Sequence, residues 1–193
     1  MRGFATLVGL GSLALGLGGC SNDGGPLAVE ARWVLSCPVG DICSPSAAHV
    51  VQGEEGDPGL VVTCSAVDVG NGLRAVSLEI VDGVTRGKLA LRNIIFDEIG
   101  TVQPTSGCQV RVEEGVNVYD NAACGPTVPS DAQPCQIGNF VLDPGAPEGP
   151  SFSTTVLCRG LTNAAASRRD LTSPDYVAGG APVDLHFANC EGF

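Results

Sequence analysis

The sequence predicts an all-β domain, a disulfide-braced antiparallel β-sandwich, and three observations carry that expectation. Gly 27 and Pro 13 against a single Met, with Val frequent throughout, is a composition of strands joined by turns. Apolar residues alternate with polar ones in one segment after another, the period of a half-buried strand. Nine cysteines, none in a CxxC pair, exceed what a reduced cytoplasmic chain carries and lack zinc-ribbon spacing, so an oxidising compartment explains them better. The arrangement expected is immunoglobulin-like or jelly-roll-like, with at most one short helix.

The strands follow in order. Leu27, Val29, Ala31, Trp33 and Leu35 alternate with Ala28, Glu30, Arg32, Val34 and Ser36, so the first strand buries one face and Trp33 anchors the core. Further strands are expected over residues 48–52, 60–67, 73–81, 88–95, 108–114, 116–119, 137–142, 152–159 and 183–189. Turn strings such as Gly70-Asn71-Gly72 and Asp82-Gly83 separate them. The only helical start is Asn163 to Leu171, where a polar residue precedes three alanines. Residues 120–136 and 143–151 are rich in Pro and Gly and read as loops.

The 193 residues fit one domain with a core of its own, placed at 27–193 after a leader at 1–19 and a tether at 20–26. The net charge of −11 becomes −12 once the leader, whose sole charge is Arg2, is removed. Such a surface is repelled by phosphate backbones and anionic lipid, which excludes nucleic acid as a partner.

Met1-Arg2 gives a short basic start, and Phe4 to Leu17 is an uncharged apolar run, too short for a membrane span but of signal-peptide length. It ends in Leu17-Gly18-Gly19-Cys20, which resembles the lipobox of bacterial lipoproteins. The resemblance implies cleavage between Gly19 and Cys20, a diacylglyceryl group on the Cys20 thiol, and acylation of the new amino group, with palmitate a usual acid. A plain secretory leader cut near a cysteine is the alternative. Ser21 to Pro26 then forms a tether reaching at most ~20 Å at ~3.4 Å per residue. Ser21 stands where an Asp can retain a lipoprotein in the inner membrane, so the resemblance favours the outer membrane of a diderm cell.

Assigning Cys20 to lipid leaves Cys37, Cys43, Cys64, Cys108, Cys124, Cys135, Cys158 and Cys190, an even set able to form four disulfides. Their pairing is not fixed by the sequence. Cys124 with Cys135 across one loop and Cys64 with Cys158 between strands are the pairings favoured, and Cys190 is expected to pin the last residues. LVVTCSAV (60–67) and STTVLCRG (153–160) resemble the two cysteine-bearing strands of an immunoglobulin-type sandwich. Trp33 precedes the first of these cysteines, however, and Val156 stands where that fold places a tyrosine, so the resemblance supports the sandwich and not the family.

No catalytic residue is assigned. Only His49 and His186 could serve as an imidazole base, and the mature chain has no GxSxG or SxxK. Asp184 and His186 share one face of a strand, opposite Val183, Leu185 and Phe187, and read as a solvated pair, while His49 is undistinguished. The carboxylate pairs Glu54-Glu55, Asp97-Glu98 and Glu113-Glu114 point to opposite sides of a strand and cannot face each other across a substrate. Asp68, Asn71, Asp120 and Asn121 have the oxygen chemistry of calcium ligands without the spacing, so no metal or cofactor is assigned.

The expectation is therefore a membrane-anchored envelope lipoprotein whose non-enzymatic β-domain binds an envelope protein or glycan, or serves a structural role. A small-ligand or carbohydrate-binding module is the alternative, and an envelope hydrolase a further one. A sugar binder would expose two or more of Trp33, Phe96, Tyr119, Phe140 and Tyr176.

Overall fold

The computed structural model describes residues 25–147, 149–175 and 180–193. Gly19 and Cys20, with the rest of the leader, lie outside the described residues, as does Tyr176. The described residues form twelve strands and no helix: β1 (Ala28–Ser36), β2 (His49–Glu54), β3 (Leu60–Gly70), β4 (Leu73–Asp82), β5 (Gly87–Asp97), β6 (Thr105–Glu114), β7 (Asn117–Gly125), β8 (Cys135–Ile137), β9 (Val141–Asp143), β10 (Ser151–Thr162), β11 (Arg168–Thr172) and β12 (Val183–Ala188).

The alternation read from the sequence is the alternation of burial. In β1 the side chains of Val29, Ala31, Trp33 and Leu35 are buried, and Glu30 and Arg32 between them face water. The same phase buries Leu78 and Ile80 in β4, Val156 and Cys158 in β10, and Val183, Leu185 and Phe187 in β12. At ~1.5–3 kcal/mol for each large apolar side chain, this shared core is the main support of the fold.

Pairing runs continuously in the order β11-β1-β12-β10-β8-β7-β6-β5-β4-β3, and β2 attaches to β1 and β9 to β10. Strands β3 to β7 form a meander of antiparallel hairpins. β7 and β8 make the one parallel pairing between these strands. β11 and β12 occupy successive parts of one slot, both lying between β1 and β10: β12 pairs with Ala28–Ala31 and β11 with Val34–Ser36. The chain leaves the sheet after Thr172 and re-enters it at Val183, so the slot is interrupted beside Arg32 and Trp33.

Three expectations need correction. Asn163 does not start a helix: its Oδ1 accepts the N–H groups of Ala165 and Ser167, and Ala166 takes a φ of 57°, which closes a hairpin loop into strand β11. Side-chain competition for backbone donors, the property that makes Asn a helix cap, here makes a turn. The loop expected from residue 120 begins later, because β7 continues to Gly125. The single strand expected over 137–142 is two short strands, β8 and β9.

All eight remaining cysteines are paired, but not as favoured above. The bridges are Cys37–Cys43, Cys64–Cys190, Cys108–Cys124 and Cys135–Cys158. Cys124 and Cys135 are neighbours in the parallel ladder, yet each bonds across its other flank, to β6 and β10. Cys64 of β3 bonds to Cys190, just after β12, while Cys158 of β10 is taken by Cys135 of the adjacent β8. Cys190 does hold the last residues: Glu191 accepts a bond from Ala66 N–H, Arg74 donates to the Gly192 carbonyl, and Phe193 stacks on Phe96 and Phe152.

Candidate functional site

Two places gather polar chemistry, one on the surface and one inside. The first is a cleft of about 490 Å³ across the outer faces of β1, β12 and β10, overhung by Ser173 and Asp175 where the chain leaves the slot between β1 and β10. Strand register builds its floor. Glu30 of β1 lies directly across from His186 of β12, and His186 across from Ser153 of β10, so three adjacent strands present Glu, His and Ser in one row. Ser153 Oγ and His186 Nδ1 are 3.0 Å apart. The next row pairs Asp184 with Thr155, and Arg32 reaches Asp175 at 3.2 Å across an exposed gap, a contact of little energetic weight.

Asp184 and His186 thus share the outward face, as alternation required, and Ser153 joins them. The three lie on a regular strand pair. Ser153 is the third residue of β10, paired between Val141 of β9 and His186 of β12. The arrangement offers donors (Arg32, Ser153, Thr155) and acceptors (Glu30, Asp175, Asp184) to a polar ligand.

The second place is interior, and sequence reasoning passed over it. His49 is fully buried at the start of β2, stacked on Trp33 with ring centroids 4.7 Å apart and planes within 19°. Its Nε2 lies 2.7 Å from Glu114 Oε1, at the end of β6. Its Nδ1 faces the Thr85 hydroxyl and, at 3.4 Å, Asp82 Oδ2. Thr85 donates its hydroxyl hydrogen to Asp82 Oδ2, and Asp82 Oδ1 accepts the N–H groups of Val84 and Thr85 in the β4–β5 turn. Gly87, first residue of β5, closes the other side of the ring: a Cβ there would lie 2.1 Å from His49 Cε1.

Burial by itself would make His49 release its proton more readily, but the hydrogen bond and charge of Glu114, followed by those of Asp82, outweigh it and raise the imidazole above its ordinary value. Burial pushes Asp82 up, and the Thr85 hydroxyl, the Thr85 and Val84 N–H groups and His49 more than offset it, leaving Asp82 below the usual carboxylate range. The two ring nitrogens point in opposite directions, so Glu114 and Asp82 cannot share a metal ion with this imidazole, and no group of metal-ligating side chains occurs among the described residues. The available signal was the phase of β2: His49 alternates with exposed Val50 and shares the inward face with Val51.

The remaining candidates separate. Glu113 pairs with Arg111 at 2.9 Å and Lys88 at 3.9 Å while Glu114 holds His49, so these adjacent carboxylates diverge. Asp97 Oδ1 closes a turn on Ile99 and Thr101, and Glu54 and Glu55 are exposed. Asp68 lies on β3 and Asn71 in the turn after it, Asp120 and Asn121 lie on β7, and β4, β5 and β6 stand between the two strands in the sheet order. Trp33, Phe96, Tyr119 and Phe140 are all buried, so the described residues provide no aromatic stacking platform. No protein-family model, no curated protein and no solved structure matches the chain.

Proposed function

We propose that the chain is a lipoprotein of the cell envelope, anchored through Cys20, whose β-sandwich binds a polar envelope component in the cleft across β1, β12 and β10. The observation that carries this reading is the composition of that cleft: donors and acceptors in register on three adjacent strands, open to solvent and backed by the buried core. A second reading, hydrolysis, is favoured by the Ser153–His186 contact alone. Regular strand geometry at Ser153 speaks against it, because a nucleophilic serine needs a sharp turn and free N–H donors beside it.

A photo-crosslinking residue at Thr155 is expected to capture an envelope component in cells, with the same residue at exposed Thr63 on β3 capturing little. Equal capture at both positions contradicts the cleft. A fluorophosphonate probe is expected to leave Ser153 unlabelled; labelling that vanishes in His186→Ala establishes the hydrolase instead. Anchoring has a separate readout: Cys20→Ser should abolish acyl labelling and membrane fractionation, since two or more acyl chains, at ~0.8 kcal/mol per buried methylene, are what hold such a domain. In a diderm source the outer membrane is the expected destination.

A further inference from the structure

The buried cluster around His49 joins parts of the sheet that pair nowhere else. Among the described residues the strand ladder of β2 is with β1, whereas Asp82, Thr85 and Gly87 belong to the β4–β5 hairpin and Glu114 to β6. Beside the cluster, the seam between β2 and the β3–β4 layer holds a groove of about 250 Å³, with Val50 and Gln52 on one wall and Leu60 and Val84 on the other. We propose that His49 is a proton-operated latch: protonated, it ties β2 to the β4–β5 hairpin through Glu114 and Asp82, and on losing its proton it lets the two part and the groove open.

The proton inventory explains how one site can have two states. With both ring nitrogens protonated, Nε2–H donates to Glu114, Nδ1–H is directed at Thr85 Oγ1 and Asp82 Oδ2, and the Thr85 hydroxyl donates to Asp82, so one cation stands between two carboxylates. When a solvent base removes the Nδ1 proton, the Thr85 hydroxyl must turn to donate to that nitrogen. Asp82 Oδ2 then loses its donor, and two carboxylates remain in the seam with no cation between them, an arrangement that a low-dielectric site tolerates poorly. Every element around the imidazole is accounted for: Glu114 from β6, Asp82 from β4, Thr85 from the turn, the uncharged Trp33 from β1 and Gly87 from β5. Lys88 with Glu79, and Arg111 with Glu113, lie on the opposite face of their strands, and Arg86 is exposed.

The sign follows from the two shifts. Stability carried by His49 is fully present below its ordinary value of 6.5 and is lost as pH rises through its higher folded value; stability carried by Asp82 is present above 3.8 and is lost as pH falls through its lower folded value. The latch is tightest between these ordinary values and opens on the alkaline side.

Trp33 is the only tryptophan, and it lies against the imidazole, so its fluorescence reports the proton: an imidazolium quenches an indole stacked on it. In the mature protein, fluorescence is expected to rise along a one-proton curve with its midpoint above 6.5. Hydrogen exchange at Val51 and Gly87, corrected for its intrinsic rate, should accelerate by about tenfold per pH unit over that range while β10 stays protected. Glu114→Gln, which keeps a hydrogen-bonding group and removes one charge, should move both curves to lower pH, and His49→Gln should flatten them. The proposal fails if corrected exchange in β2 and the hairpin is independent of pH, if β10 opens in parallel so that the event is global unfolding, or if Glu114→Gln leaves the midpoint where it was.

Discussion

Replacing Gly87 with Ala is expected to destabilise the domain by about 3–5 kcal/mol, most of it from a single displaced ring. The added Cβ would stand 2.1 Å from His49 Cε1, and the ring cannot retreat because Trp33 is stacked on its other face. Either the β5 backbone moves out of its pairing with Asp82 and Glu114, or the imidazole leaves Glu114 Oε1 and a carboxylate is stranded in the seam. Urea denaturation near pH 6, where the imidazole is charged, measures the loss. Gly145→Ala is the control: its Cβ meets nothing closer than 3.8 Å, so its midpoint should stay within about 0.5 kcal/mol of the parent. If Gly87→Ala behaves like the control, the ring is not confined as described.

The difference between what the sequence reveals and what it hides has a physical origin in these same residues. Period-two alternation is local, so β1 could be read correctly down to the burial of Trp33, and the outward placement of Asp184 and His186 followed from Val183, Leu185 and Phe187. His49 has equally local information in its phase with Val51, but its partners lie 33 and 65 residues away and meet it only after β2, β4 and β6 have been placed. The Ser153–His186–Glu30 row depends likewise on which strands become neighbours and in what register. Asn163 shows the opposite failure: its local signal was read, but the oxygen that caps helices also closes tight turns, and only the pairing of β11 with β1 and β10 decides between them.

Cysteine pairing is the extreme case of non-local information, and it yields the second large effect. Cys64→Ala combined with Cys190→Ala is expected to cost about 5 kcal/mol, against about 2 kcal/mol for Cys37→Ala combined with Cys43→Ala, because a bridge restricts the unfolded chain in proportion to the logarithm of the loop it closes. The separations are 126 and 6 residues. A marginal total stability of 5–15 kcal/mol, usual for a domain, makes the first loss a substantial share of it. The native state suffers locally as well: without the bridge, residues 190–193 keep to β3 through the Ala66 N–H bond to Glu191, while Phe193 is held against Phe96 and Phe152 by packing and Gly192 by the Arg74 bond to its carbonyl. Thermal and urea unfolding of the two double variants, under oxidising conditions, therefore separate loop entropy from the seating of residues 190–193. If the two losses are equal, loop length is not what sets the contribution of these bridges. If the Cys64/Cys190 variant loses more than the entropic figure, the excess measures how much the Phe96–Phe152–Phe193 stack depends on a covalent tether to stay seated.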